Sequence, residues 1–427
     1  MNTKSLTSLA VAAMMGFMAQ AATVAWQPSV DQMIANGEFA KAEQFLKQLP
    51  KAERKEQAVR IDSLNTIMQR IRADFTLTPA EGIAKIKERM PQVTEAQIEK
   101  WKATKKIEYM IIDGKECWFR KSVGNLWLLA DELATDHAAD KTDSYNYHRG
   151  HYLAAMKTTP DANGTRDWNK AQITFKLDVK ADAVPAGETV KVWMPYPFEN
   201  LRQRNIHFIK SNRPVTFSDG SKHHTVYMEA VAEKGKPLHF EYTFSYEVGE
   251  RHIAKQDMLA LLQPYDKNSE VYKRYTLQNE GPHIAVDEKI AAKAKEIVGN
   301  ETNPVEQASL LCQWIGRNFP WAGAREYSTI ANIPSYVLEN GHGDCGQVAL
   351  LYINMARSLG IPARWESGYM LHPGYENYHD WAETYYEGIG WVSTAPSFCR
   401  TTVDTPLKDY YVTGLEVYRL ATNEAVG

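Results

Sequence analysis

Apolar residues repeat at helical spacing between Val30 and Leu49, with Phe39, Ala42, Phe45 and Leu49 on one stripe, and again at Ile61, Leu64, Met68 and Ile71. Two capping boxes follow. Thr78-Pro79-Ala80-Glu81 and Thr94-Glu95-Ala96-Gln97 each place a hydroxyl three residues before a Glu or Gln, which marks a helix start. Asp113-Gly114, set between Tyr109–Ile112 and Glu116–Phe119, predicts a β-hairpin. Residues 26–135 are therefore read as a helical region with one hairpin. Over 136–170 the periodicity lapses into Asp, Asn, Thr, Gly and Pro, the composition of a linker. Strict alternation then begins at Ile173, Phe175, Leu177 and Val179, returns at Val190, Val192, Met194 and Tyr196, and holds at every second position from Leu238 to Val248. That pattern predicts a half-buried antiparallel sheet, a β-sandwich over 171–255. After Pro282 helical spacing resumes at Ile290, Ala294, Ile297 and Val298, and Asn303-Pro304 opens a further helix in a final α+β region spanning 265–427.

The N-terminus has a different character. Lys4 is the only charge in the first 25 residues, an apolar run extends from Leu9 to Met18, and Ala19 and Ala21 occupy the −3 and −1 positions of a signal cleavage site. The expectation is a signal peptide over 1–21 and a periplasmic or secreted protein. The run falls short of the roughly 20 apolar residues of a membrane span, so no span is expected after cleavage. The formal charge of −3 becomes −4 once Lys4 is removed, which provides no basic footprint for nucleic acid. No glycine-rich phosphate loop, HExxH zinc motif or calcium loop occurs, so neither cofactor nor metal is expected.

Four cysteines, Cys117, Cys312, Cys345 and Cys399, are too few and too scattered for a disulfide scaffold. Cys312 continues the helical stripe of Ala308, Leu311 and Ile315 and reads as a small buried hydrophobe, as does Cys117 on its strand. Cys345 differs. Gly341-His342-Gly343-Asp344-Cys345-Gly346-Gln347 leads into the apolar run Val348–Leu359, which places the cysteine at a helix start, where unpaired N–H groups and the positive end of the helix dipole favour a thiolate. Downstream lie a strand over 363–369, a polar loop over 371–378, and His379-Asp380-Trp381-Ala382-Glu383, followed by Gly390-Trp391-Val392. Cys345 and His379 are the candidate nucleophile and base.

Three ordered blocks, Gly343-Asp344-Cys345-Gly346, Gly360-Ile361-Pro362-Ala363-Arg364, and His379-x-Trp381-x-Glu383 leading to Gly390-Trp391-Val392, resemble the transglutaminase-like core of papain-type thiol enzymes over about residues 282–400. The resemblance implies a papain-like α+β fold and attack by Cys345 on an amide carbonyl. It also implies proton transfer by His379 and a peptide or protein substrate, with cell-wall peptide as one such class. Hydrolysis and amine transfer are both open, since they differ only in what resolves the acyl-enzyme. In such families an aspartate orients the histidine from a Trp-Val-x-x-Asp-Pro setting, whereas this chain reads Trp391-Val392-Ser393-Thr394-Ala395-Pro396. The orienting carboxylate is absent. Glu383 shares the face of His379 but lies about 13 Å along the strand; Glu376, Ser393 and Thr394 are the remaining stand-ins. Trp321 and Tyr327 are candidates for an oxyanion donor, with core packing the simpler reading of each, and His342 is expected to line the cleft at most. A weakened or inactive binding protein is the alternative that Ala395 raises.

Overall fold

The computed structural model describes residues 24–130, 150–218 and 222–426. The expected signal peptide lies outside them, as do residues 136–149 of the expected linker, whose last residues instead belong to strand Thr165–Val179. The fold is α+β, and the chain divides into two compact units that do not follow its linear order. One comprises Met1–Asp140, Asn279–Ala292 and Asn318–Asn354, the other Lys141–Gln278, Lys293–Arg317 and Met355–Gly427. Among the described residues no helix is long and apolar enough to cross a membrane.

In the first unit, helices Gln27–Ala35, Phe39–Gln48 and Ala58–Asp74 bury Val30, Phe39, Ala42, Leu64 and Met68 in one core. Both capping boxes form at Thr78/Glu81 and Thr94/Gln97, starting helices Pro79–Arg89 and Glu95–Ala103. These helices bury Ile86, Ile98 and Trp101 in a second core with Trp118. The hairpin pairs Tyr109–Ile112 with Lys115–Trp118, one residue earlier than expected. Asp113 (φ 48°) and Gly114 (φ 81°) both take positive φ, as its two-residue turn requires.

Later segments of this unit lead to the nucleophile. Helix Ile333–Asn340 is capped by Asn332 and stopped by Gly341 in the left-handed conformation, and helix Cys345–Ser358 begins four residues on. His283 ties these elements together. Its Nδ1 accepts from the N–H of Ile333 at 3.3 Å, and its carbonyl accepts from Asn354 Nδ2 at 2.9 Å. Burial lowers the His283 pKa to about 4. An unfolded chain binds this proton near pH 6.5 while the folded one excludes it until about pH 4, so folding stability falls as pH drops through that window. The full effect is at most about 3 kcal/mol. Asn at position 283 retains an acceptor without a titration, so the decline in melting temperature of His283→Asn between pH 6.5 and 4 should be shallower than the parent's. His252 in the second unit, also held near 4 by burial, preserves part of the slope. Identical acid limbs would show that His283 does not carry it.

Among the described residues, the second unit holds three sheets. Strand Leu238–His252 pairs along its length with Thr165–Val179, and on its other edge with Gln203–Ser211 and Gly414–Leu415. Strands Thr189–Pro195, Thr225–Val231 and Thr216–Phe217 form a second sheet. Val192, Met194, Val226 and Met228 from this sheet meet Phe240, Tyr242, Phe244 and Tyr246 from the first in one core, the sandwich that the alternation predicted. On the outer face of the second sheet, a shallow cavity of about 350 Å³ is lined by Trp193, Phe217, Tyr227 and Lys191 and contains neither candidate site residue.

The third sheet runs in the order Gly390–Thr394, Tyr375–Tyr386, Ala363–His372, Arg419–Asn423. Tyr369, Leu371 and Leu420 from one of its faces join the sandwich core. The other face carries His379. The expected loop over 371–378 is a tight hairpin instead, because Tyr375 pairs with His372 across the two-residue turn Pro373-Gly374, with Gly374 at φ 76°.

Candidate active site

Cys345 is the first residue of helix Cys345–Ser358 in the first unit, partly exposed and outside any disulfide. The turn before it is built by a capping box that the sequence analysis did not identify. Asp344 Oδ1 accepts from the N–H of Gln347 at 3.0 Å, and Gln347 Oε1 accepts from the N–H of Asp344 at 3.2 Å. Tyr327 also donates its hydroxyl to Asp344 Oδ1. Burial pushes the Asp344 carboxyl up, against the hydrogen bonds from Tyr327, Gln347 and Gly346 that lower it.

A side chain at 343 would crowd this cap. A Cβ there would stand 3.0 Å from Gln347 Cβ and 3.2 Å from its Oε1, within the cap itself. The peptide of Gly343 is held alongside Pro320–Ala322, with its carbonyl accepting from Ala322 N at 3.1 Å. The loop beyond is fixed by Asn125, whose amide exchanges hydrogen bonds of 2.8 and 2.9 Å with the backbone of Gly323.

Neither aromatic singled out as an oxyanion donor is core packing. Trp321 is 46% exposed, and the hydroxyl of Tyr327 is committed to Asp344. His342 is buried and turned to the carbonyl of Lys105 at 3.0 Å, with its pKa lowered chiefly by burial.

His379 lies in the second unit on strand Tyr375–Tyr386, opposite Gly368 in the ladder, and is buried. Its ring stacks near Trp381 at 6.1 Å and meets Phe398 edge-on at 5.1 Å. Among the described residues its Nε2 is buried without a hydrogen-bond partner. Burial, and then the positive charge of Arg419, push its pKa well below the usual value, and Glu416 only partly offsets them. Protonating this ring is therefore costly.

The residues around it form a buried charged cluster. Arg419, 1% exposed, lies 2.7 Å from Glu416 Oε1, which also contacts His372 Nε2 at 2.9 Å. Burial raises the Glu416 carboxyl, but Arg419 and His372 outweigh it and hold the group well below the carboxylate range. The guanidinium of Arg419 sits 4.5 Å over the Phe398 ring, and its two Nη groups have no hydrogen-bond acceptor among the described residues. Trp381 donates at 2.5 Å to Glu366, whose pKa is raised to about 8 by burial and then by Glu383.

Most stand-ins for the missing carboxylate are excluded within this unit. Glu376 is on the strand, three residues from His379 and so on the opposite face. Glu383 is engaged by Arg364 at 2.6 and 2.7 Å. The Thr394 hydroxyl is shared between Thr384 Oγ1 and the carbonyl of Val412. Ala395 is fully buried, donates its N–H to Tyr411, and offers no side-chain cap to helix Pro396–Thr402.

A cysteine opening a helix, followed by a sheet hairpin bearing a histidine, is the layout of the papain-like thiol-enzyme class. Residues 291–396, which contain both Cys345 and His379, match the family model of the transglutaminase-like superfamily, and this part of the chain is a transglutaminase-like domain. An uncharacterised protein of Haemophilus influenzae is 24% identical over 223 residues, 49% of this chain and 58% of that one, so this chain spans little over half the length of that relative. A Cytophaga hutchinsonii protein provisionally described as a cysteine protease is similar with a TM-score of 0.43 at 15% identity, covering 60% of this chain and 83% of that one. The periplasmic domain of TgpA from Pseudomonas aeruginosa gives a TM-score of 0.30 at 15% identity, covering 58% and 78%.

Proposed function

We propose that this protein is an exported thiol amidase or peptidase, periplasmic or secreted, in which Cys345 is the nucleophile and His379 the proton carrier. The observation supporting this reading is the capped helix start at Asp344–Gln347 within the matched domain, which sets a partly exposed cysteine at the positive end of a helix dipole. In the proposed reaction the Cys345 sulfur attacks the amide carbonyl carbon, and its proton passes through His379 to the leaving nitrogen as the C–N bond breaks. Water then adds to the thioester, gives its proton to His379, and releases the acid and the thiol. An amine in place of water yields transfer. Peptides, including those of a cell wall, are the proposed substrate class.

The buried, unpartnered Nε2 of His379 and the charge of Arg419 beside it favour a second reading, a binding protein that retains the fold without turnover. A thiol-directed activity-based probe at neutral pH separates the two. We expect Cys345 to label well ahead of Cys117, and the probe to be lost from that position in Cys345→Ser. Labelling of native Cys345 no faster than of the denatured chain would leave the binding reading standing.

A further inference from the structure

Cys312 and Cys399 are both fully buried in the second unit, on helices Pro304–Asn318 and Pro396–Thr402. Those helices touch backbone to backbone. A Cβ at Gly316, one turn beyond Cys312 on the same helix face, would lie 2.9 Å from the carbonyl carbon of Cys399 and 2.9 Å from the nitrogen of Arg400. The two thiols interact directly by a side-chain hydrogen bond, and burial together with this contact drives the Cys312 pKa well up. Dense neutral thiols fill such a space as small hydrophobes in a reducing compartment. Both thiols are free in this structure, but in an oxidising compartment two thiols in contact have another outcome.

We propose that Cys312 and Cys399 form a structural disulfide in the exported protein, an inference that rests on the export part of the reading above but not on its chemistry. The step is thiol–disulfide exchange with a disulfide-bearing oxidant of the compartment. One thiolate attacks the oxidant's disulfide to give a mixed disulfide, and the second displaces the oxidant's sulfur. Two electrons and two protons pass to the oxidant, which leaves as a dithiol. Exchange occurs on the folding chain, before burial closes off the sulfurs. The bond joins residues distant in sequence, the situation in which a crosslink restricts the unfolded chain most. It also anchors the helix that carries Phe398, the ring set edge-on to His379, and that starts at Ala395.

The test is intact-mass alkylation of the full chain, unfolded in excess iodoacetamide before and after reduction. Two samples are compared: protein exported to an oxidising compartment, and protein refolded in a glutathione redox buffer. Both should take two alkyl groups before reduction, at Cys117 and Cys345, and four after it, with a proteolytic fragment joining residues 312 and 399. Reduction should lower the melting temperature by on the order of 5 °C, a drop absent from the Cys312→Ala/Cys399→Ala double variant. Four alkyl groups before reduction in the refolded sample, or a crosslink using Cys117 or Cys345, would overturn the pairing. Four in the exported sample alone would show that the bond is not made where the protein resides, and would equally overturn it. Probe labelling of Cys345, read separately, keeps this outcome distinct from the failure of the enzyme reading.

Discussion

Gly368→Ala should destabilise the second unit by roughly 3 kcal/mol or more, at the upper end of what overpacking produces. Gly368 sits mid-strand between His379 on one neighbour and Ala421 on the other. A Cβ there would lie 1.9 Å from the carbonyl oxygen of Leu420 and 3.1 Å from the nitrogen of Thr422. Those are backbone atoms of the edge strand, which already bulges between Ala421 and Asn423 and cannot yield as a flexible side chain would. The strand must move, and Leu420 leaves the sandwich core with it. Arg419, which presses its charge on His379, moves too. Gly374→Ala on the same hairpin is the control, because φ 76° strains the substitution while nothing lies within 4 Å of its Cβ. Its loss should be about 1 kcal/mol. Thermal melting of the two variants decides the matter, and a Gly368→Ala melting temperature within about 2 °C of the parent would contradict the close approach seen at Leu420.

What the sequence revealed is what short-range physics controls. The two capping boxes, the Asp113-Gly114 turn and the alternation at Leu238–Val248 each contain their own signal within a dozen residues, and each forms. The hairpin at Pro373-Gly374 was not legible because its return strand opens on the polar pair Glu376-Asn377, and a polar strand bordering a turn looks like a loop until its ladder partners are known. The Asp344–Gln347 cap is present in sequence as an Asp-x-x-Gln pattern, with no proline or acidic first turn beside it to mark a helix start. The cluster around His379 was hidden for another reason. Glu416 and Arg419 lie beyond the matched segment, and a lone charge in sequence reads as solvated surface unless strand pairing far along the chain is known to bury it. The division into units was equally hidden, since the first unit takes back two later segments through contacts that no local pattern encodes.

That cluster makes Ala395 the position with the most to reveal about the chemistry. An aspartate there should accelerate Cys345 alkylation at pH 7 by ten-fold or more, if His379 takes the new carboxylate as its partner through the buried Nε2 that now has none. The sign follows from the charges. Burial and Arg419 at present disfavour the imidazolium; a carboxylate hydrogen-bonded to Nε2 raises the His379 pKa, and a persistent imidazolium stabilises the thiolate. The acid limb of the alkylation profile therefore moves to lower pH. Two other groups compete for the carboxylate. Residue 395 is the uncapped N-cap of helix Pro396–Thr402, so Asp could accept from that helix's first turn, and Arg419 is a buried cation with unsatisfied donors. Both lower the penalty of burying the charge, so the variant should fold. Ala395→Asn isolates the local effect, since its amide caps the helix and accepts a hydrogen bond without a charge. It should raise the melting temperature while leaving the acid limb in place. A folded Ala395→Asp with the parent's acid limb would mean that the carboxylate serves the helix or Arg419 and that His379 does not govern the thiol, which removes the catalytic pairing from the proposed function.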